Sequence, residues 1–272
     1  MGSRRLGKRR LDALLDRTNS NADEWGYVRP EMNPGASTKI KVQALGPMHG
    51  FGFDDTANMP VDGQTTAFWL RENENSSTIA LSNGDTDFDD GCFVLTPGGA
   101  DNDKVGFMSQ NKPITCTVGK KWWIETSFKI ADIDDCTMFF GVIEDTYDTA
   151  VVYGEVAAGA DADKAGFKKA AEGTGVFTTT SSLNASESTG TGLTVTADND
   201  VVNLGIHWDG NGNCKFYGAF AATGTDPGAM PLLSTLSITP DQSMGIVLEM
   251  KHATAAADDA LKVNYVRAAW EK

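Results

Sequence analysis

The chain has 272 residues, of which 40% are hydrophobic and 22% are charged, and its formal net charge at pH 7 is −14. A body this acidic repels phosphate groups, which argues against nucleic-acid binding, and no apolar run reaches the roughly 18 residues of a membrane span. The N-terminus lacks the apolar stretch and cleavage site of a signal peptide, so we expect synthesis and retention in the cytoplasm, or release by lysis.

Residues 1–20 form a basic arm on this acidic chain. The arm holds six Lys or Arg and two Asp, a net charge of +4, which leaves −18 for the remaining 252 residues. Leu11, Leu14 and Leu15 have the i, i+3, i+4 spacing of a short amphipathic helix, which is marginal in water on its own. The arm is therefore either a segment that folds when it docks on a partner or a solvated tail.

Residues 21–50 read as an extended connector, because prolines and turn residues interrupt them. One strand is expected within the connector at "TKIKVQAL".

Residues 51–272 carry about a dozen strand signals separated by Gly, Asn and Asp. "TTAFWLRE", "STIALSN", "GCFVLT" and "KVGFMS" come first, and "KKWWIETSFKIAD" then alternates with a period of two, which predicts a half-buried strand. Its apolar face would hold Trp122, Ile124, Thr126, Phe128 and Ile130, and its other face Lys121, Trp123, Glu125, Ser127 and Lys129. "CTMFFGVIED" is more apolar and predicts a central strand.

The second half of this domain continues the pattern. "DVVNLGIHWDGNGNCKFYGAF" predicts a hairpin with a Gly/Asn turn, and "SMGIVLEMKH" and "ALKVNYVRAAW" each predict an alternating strand. "FTTTSSLNASESTGTGLTVTAD" predicts a long exposed hairpin, and "GADADKAGFKKAAEG" a helical turn within a loop. Many strands without intervening helices predict an all-β fold, an antiparallel β-sandwich or jelly roll.

The four cysteines are too far apart for a CxxC metal or redox pair. Because Cys92, Cys116 and Cys214 lie in apolar or β-branched runs, we expect buried, reduced thiols at these positions and at Cys136.

Few residues offer chemistry. "GDTDFDDG" presents Asp85, Asp87 and Asp89, which indicate either a solvated acidic turn or a weak calcium site, since its glycine spacing does not fit an EF-hand. Asp145 falls on the opposite strand face from Glu144 and Asp148, and Thr146 stands where the nearest same-face partner of Glu144 would be, so we expect no enzymatic activity and no resident cofactor. Trp123 and His207 lie on outward faces and are the candidate ligand-facing residues, although a core or interface role for Trp123 is the alternative.

The order of "GKKWWIETSFKIADIDDCTMFFGVIED", "VVNLGIHWDGNGNCKFYGAF" and "LKVNYVRAAW" resembles the concanavalin-like jelly-roll proteins of tailed-bacteriophage particles. The start, "GSRRLGKRRLDALL", is similar to that of structural proteins from marine phages, including cyanophages. The resemblance covers about residues 65–272. It implies a capsid decoration or cement protein on the exterior of a virion, with the major capsid protein as its partner and a homotrimer as its assembly.

Under this resemblance the arm anchors the jelly roll to the shell. Charge contacts would come from Arg4, Arg5, Lys8, Arg9 and Arg10, and apolar burial from Leu6, Leu11, Leu14 and Leu15. An acidic body also suits the outside of a capsid better than the inside, where it would meet packed DNA. The alternative is a module of a phage tail or other appendage that binds a host surface glycan.

Overall fold

The computed structural model describes residues 40–45, 69–73, 77–82, 85–88, 92–99, 103–109, 112, 114–144, 163–169, 173–183, 186–238, 243–252 and 260–271. The chain divides into two units, Met1–Ile40 and Lys41–Lys272. Apart from Ile40, the first unit lies outside the described residues, and with it the arm of residues 1–20. The fold below belongs to the second unit.

Every regular element of the described residues is a β-strand, as the turn-rich sequence predicted. The strands are β1 (Ile40–Leu45), β2 (Trp69–Asn73), β3 (Thr78–Ser82), β4 (Cys92–Thr96), β5 (Lys104–Ser109), β6 (Ile114–Thr115), β7 (Trp122–Ile130), β8 (Cys136–Ile143), β9 (Lys164–Lys169), β10 (Val176–Leu183), β11 (Ser186–Thr194), β12 (Val201–Trp208), β13 (Asn213–Ala221), β14 (Leu232–Ser237), β15 (Ser243–His252) and β16 (Leu261–Glu271). No helix of the described residues is long and apolar enough to cross a membrane.

The strands form two antiparallel sheets. Sheet A has the order β14-β13-β12-β7-β16-β4-β3, with β1 also paired to β16, and sheet B has the order β11-β10-β9-β8-β15-β5-β2, with β6 also paired to β15. Strands that are neighbours in a sheet are often distant in sequence, so most of the pairing is long-range. This is a jelly-roll sandwich, and the predicted fold class is confirmed.

One hydrophobic core lies between the sheets. Sheet A contributes Trp122, Ile124, Phe128 and Ile130 from β7, and sheet B contributes Met244, Ile246, Leu248 and Met250 from β15, all of them essentially inaccessible to solvent. These are the apolar faces that the period-two pattern predicted. Full burial of each such side chain stabilises the fold by about 1.5–3 kcal/mol.

The β12–β13 hairpin follows its sequence signal closely. Val202, Leu204, Ile206 and Trp208 point into the core, and β13 pairs with β12 from Ala221 to Cys214. Asp209 accepts hydrogen bonds from the backbone N–H groups of Asn211 (2.7 Å) and Asn213 (3.2 Å), and one from the Asn213 side chain (3.1 Å). Gly210 and Gly212 have φ of 79° and 94°, the left-handed conformation that this turn requires.

The helical turn predicted within "GADADKAGFKKAAEG" is wrong. Lys164–Lys169 is strand β9, which pairs with β8 on one side and β10 on the other. Its Ala and Lys residues favour a helix locally, but strand pairing on both edges and burial of Phe167 outweigh that preference. The Thr/Ser-rich hairpin is present as β10 and β11. Its exposure is confirmed for β11, whereas Thr179, Thr180 and Ser181 of β10 are buried.

The second face of β7 also differs from its prediction. All nine residues of β7 are buried, including the outward-facing Trp123, Glu125, Ser127 and Lys129. The alternation correctly sorts the residues between two faces, but both faces are covered. The four cysteines are buried and free, as predicted.

Candidate functional site

A cleft of about 370 Å³ opens on the outer face of sheet A. Its floor is formed by strands β7, β12 and β16, and its two walls are the turn 85–88 and the loop 224–227 between β13 and β14. Its lining residues are Thr86, Asp87, Phe88, Ser127, Val201, Asn203, Gly224, Thr225, Asp226, Pro227, Asn264 and Tyr265. Cavities of roughly 300–1,000 Å³ are the usual size for small-molecule sites, and this one is at the small end.

Three polar side chains cross the floor in one row. Asn203 of β12 is the register partner of Ser127 in β7, and Ser127 is the partner of Tyr265 in β16. Asn203 is partly buried, and its carboxamide oxygen, which solvent does not reach, accepts no hydrogen bond from any residue that the structure describes. A buried acceptor without a donor costs about 1–3 kcal/mol, and a rotation of the carboxamide that turned this oxygen toward a ligand hydroxyl would recover that energy.

A β-bulge in β16 adds to the polar lining. The register with β7 shifts by one residue between Val263 and Tyr265, so Asn264 has no partner in β7. Asn264 and Tyr265 therefore both line the cleft, although neighbouring residues of a regular strand point to opposite faces. The Thr126 hydroxyl donates to the Tyr265 carbonyl at 2.9 Å, which stabilises the strand beside the bulge.

The first wall, turn 85–88, is held in place by ion pairs with two lysines. Lys129 Nζ donates to Asp85 Oδ1 at 2.5 Å and forms an ion pair with Asp87, while Lys262 Nζ lies 3.0 Å from Asp85 Oδ2. Both aspartate side chains are almost inaccessible, at 4% and 6% exposure. The predicted solvated turn is therefore wrong for Asp85 and Asp87, and Asp89 lies outside the described residues.

The second wall is tied to the first. The backbone N–H of Gly224 donates to Asp87 Oδ1, and Gly224 has a φ of 82°, which favours glycine there. Within the loop, the Gly228 N–H donates to Asp226 Oδ1 at 2.8 Å, and the Thr223 hydroxyl donates to the Asn199 carbonyl at 2.9 Å. Asp87 thus connects the two walls across the cleft.

The hydrogen bonds and ion pairs of the first wall favour the charged forms of Asp85 and Lys129. Burial acts to raise the pKa of Asp85, but hydrogen bonds from Lys129, the Asp87 backbone and Lys262 outweigh it, and the net pKa is lowered. Burial likewise acts to lower the pKa of Lys129, but its bonds to the two aspartates raise it above its ordinary value. The negative charges of Asp85 and Asp87, the candidate calcium ligands, are thus balanced by lysine ammonium groups. Among the described residues, no group of three or more His, Cys, Asp or Glu could hold a metal ion.

The surface exposure predicted for His207 is wrong, and Trp123 has the buried role that was its alternative to facing a ligand. Trp123 is 0% exposed and His207 is 1% exposed. The Trp123 ring lies 5.6 Å from that of His207 and 5.0 Å from that of Tyr217, and Gly205 leaves the space that its indole fills. The two residues belong to a second packed layer on the outer face of sheet A, and neither lines the cleft.

The other candidate residues divide between the described and undescribed parts of the chain. Glu144 follows β8 directly, as expected for a loop after a strand, whereas Asp145 and Asp148 lie outside the described residues. The sequence reasoning did not select Asn203, Ser127, Asn264 or Tyr265. Ser127 and Asn203 could have been found as polar residues at outward positions of β7 and β12. No local sequence pattern marks the bulge at Asn264.

No protein-family model matches the chain, and no curated protein matches it. Among solved structures, a protein of unknown function from Shewanella oneidensis MR-1 is similar, with a TM-score of 0.56 at 11% identity over 88% of this chain and 89% of that one. Peanut lectin with a bound nonapeptide is similar with a TM-score of 0.53 at 9% identity, over 85% and 97% of the two chains. Lectin UEA-II complexed with galactose has a TM-score of 0.52 at 10% identity, over 85% and 99%.

These similarities establish the fold of the chain, a lectin-type, concanavalin-like jelly roll. They do not bear on the predicted virion role, which stays a prediction.

Proposed function

We propose that this protein is a non-catalytic glycan-binding module whose ligand occupies the cleft on the outer face of sheet A. The observation that carries the proposal is the row Asn203–Ser127–Tyr265 on the cleft floor, in which the buried Asn203 oxygen has no hydrogen-bond donor within the described part of the chain. A sugar supplies what this floor lacks, because its hydroxyl groups both donate and accept hydrogen bonds.

The remaining lining suits the same ligand. Tyr265 adds an aromatic side chain, whose ring is stacked by the Arg267 guanidinium at 3.9 Å from its centre, and Asn264 and Thr225 offer further polar groups. The described lining residues include no Lys or Arg, the charge of Asp87 is balanced by Lys129, and Asp226 adds a negative charge. Uncharged sugars are therefore favoured over uronates, sialates and sulfated sugars. The similarity to lectins, one of them complexed with galactose, supports the proposal at the level of the fold.

The test is a glycan array with the full-length protein, followed by calorimetric titration of the best neutral ligand. Asn203→Ala should weaken binding about tenfold, which corresponds to about 1.4 kcal/mol. Asn211→Ala is the matched control, because this exposed side chain lies in the β12–β13 turn and is absent from the cleft. If no glycan binds, or if Asn203→Ala binds as tightly as the unmodified protein, the proposal is wrong.

A second function, attachment to a phage capsid, is supported by the segregation of charge along the sequence. Residues 1–20 carry +4 and the remaining residues −18, and the arm combines basic residues with Leu6, Leu11, Leu14 and Leu15. We propose that this arm docks on a major capsid protein and displays the jelly roll, as a trimer, on the virion exterior. An arm that orders on binding can hold neighbouring subunits together even when each contact is small.

This proposal is tested with capsids that lack the protein. Full-length protein should bind them stably, and a chain starting at Asn21 should not. The two functions are compatible, because the arm and the cleft are different parts of the chain. Binding of neither form to the capsids would exclude the capsid role and leave the glycan proposal unaffected.

A further inference from the structure

We propose that Lys129 is the positioning residue of the cleft: its ammonium group holds the first wall directly and, through Asp87, the second wall, and it makes a metal ion unnecessary for this purpose. This inference rests on the proposed glycan-binding function for its ligand, but the positioning itself is measurable without one.

Lys129 is buried where the cleft floor meets the first wall. Its side chain is 3% exposed, and it extends from the outer face of β7, next to Ser127 on the cleft floor. From there it contacts three of the four residues of turn 85–88: it pairs with Asp85 and Asp87, and its ammonium lies 5.2 Å from the centre of the Phe88 ring. One side chain of the floor therefore fixes the first wall.

Lys129 also acts on the second wall, through Asp87. Asp87, which is paired with Lys129, accepts the hydrogen bond from the Gly224 N–H of the opposite loop. Without the ammonium, Asp87 would be a buried carboxylate whose charge is no longer compensated, and such a group moves toward water or takes up a proton. Either change weakens its bond to Gly224. The cleft would lose the preorganisation that keeps the cost of ligand binding low.

Both carboxylate oxygens of Asp85 already accept hydrogen bonds. Asp85 Oδ1 accepts from Lys129 and from the backbone N–H of Asp87 at 3.0 Å, and Oδ2 accepts from Lys262. Calcium requires six to eight oxygen ligands, whereas two ammonium groups here occupy and neutralise the carboxylates. A divalent cation would have to displace both lysines. Ligand binding in this cleft is therefore independent of calcium.

Three variants of the full-length protein test the inference. Lys129→Met removes the charge and keeps most of the side-chain volume, and Lys129→Arg restores the charge. Lys168→Met is the matched control, because it breaks a comparable ion pair, Lys168–Glu187, which lies in sheet B and away from the cleft. Two quantities are measured: the affinity for the neutral glycan selected on the array, with and without EDTA or calcium, and the hydrogen-exchange rate of the Gly224 amide.

Lys129→Met should weaken glycan binding and accelerate Gly224 exchange, each by about tenfold. Lys129→Arg should restore most of both, Lys168→Met should change neither, and EDTA should leave binding unchanged. Unaltered Gly224 exchange in Lys129→Met would overturn the inference, as would binding that EDTA abolishes and calcium restores. If Lys129→Met does not fold, Asp87→Asn replaces it, because that change removes the same ion pair.

If the proposed glycan-binding function is wrong, the same experiment gives a different result. The unmodified protein would then bind no glycan, while accelerated Gly224 exchange in Lys129→Met would still show that Lys129 holds the walls.

Discussion

Replacing Gly205 with alanine should destabilise the protein, because Gly205 leaves the space that Trp123 fills. A Cβ atom at position 205 would lie 2.7 Å from Cζ2 of Trp123 and 3.2 Å from Cε of Met230. Carbon atoms in contact are normally about 3.5–4.0 Å apart, so the indole would have to move by about 1 Å. Trp123 is fully buried against the rings of His207 and Tyr217, and it has little room to do so.

The size of the effect follows from two opposing contributions. Overpacking of a well-packed interior costs about 1–3 kcal/mol. The substitution also restricts the unfolded chain, which stabilises the protein by about 0.4–1 kcal/mol. The net loss in the free energy of unfolding should therefore be about 1–2 kcal/mol.

The assay is urea unfolding followed by circular dichroism. Gly99→Ala is the matched control, because Gly99 is exposed and a Cβ there would meet no atom within 4 Å. In the background of Trp123→Phe, whose ring is smaller, the cost of Gly205→Ala should fall by at least about 0.5 kcal/mol. The reasoning is refuted if Gly205→Ala is as stable as the unmodified protein, or if its cost is the same in the Trp123→Phe background.

Three further predictions concern ionisation and hydrogen bonding. Because the folded pKa of Asp85 is lowered, its contribution to stability is complete above the ordinary value of 3.8 and is lost as the pH falls through the folded value. Unmodified protein should accordingly lose more stability than Asp85→Asn between about pH 5 and pH 2 in thermal unfolding; equal losses would contradict this. Asp209→Ala removes three hydrogen bonds from the β12–β13 turn and should cost about 1–2 kcal/mol in urea unfolding, with Asn211→Ala as the near-neutral control. Burial raises the pKa of Cys116 to about 11, so a thiol reagent at neutral pH should label this residue only after denaturation. Labelling of Cys116 in the native protein would disprove its burial.

The sequence predicted the strands where alternation was strong. In β7 and β12 the inward residues are all in the core, because a period of two determines which side chains share a face. Alternation does not determine whether the second face is covered, which depends on segments far away in the chain. His207 was therefore assigned to the correct face but to the wrong environment, and the choice between a ligand-facing and a buried role for Trp123 stayed open.

Long-range pairing explains the other differences. Strand β9 has Ala and Lys residues that do not favour a strand, and it forms because β8 and β10 pair with it on both sides. Asp85 and Lys129 are 44 residues apart, and Asp85 and Lys262 are 177 apart, so no local pattern could show that lysines would neutralise the acidic turn. The cleft floor combines β7, β12 and β16, which only the sheet order brings together.

The bulge in β16 makes the lining of the cleft independent of the packing of the core. Val263 and Val266 point into the core on either side of Asn264 and Tyr265, and the pairing with β7 is regular before and after the extra residue. Loss of the Asn264 codon would restore a continuous ladder in which every inward side chain keeps its place. Deletion of this one residue would therefore remove part of the cleft lining while the inward side chains of β16 keep their faces.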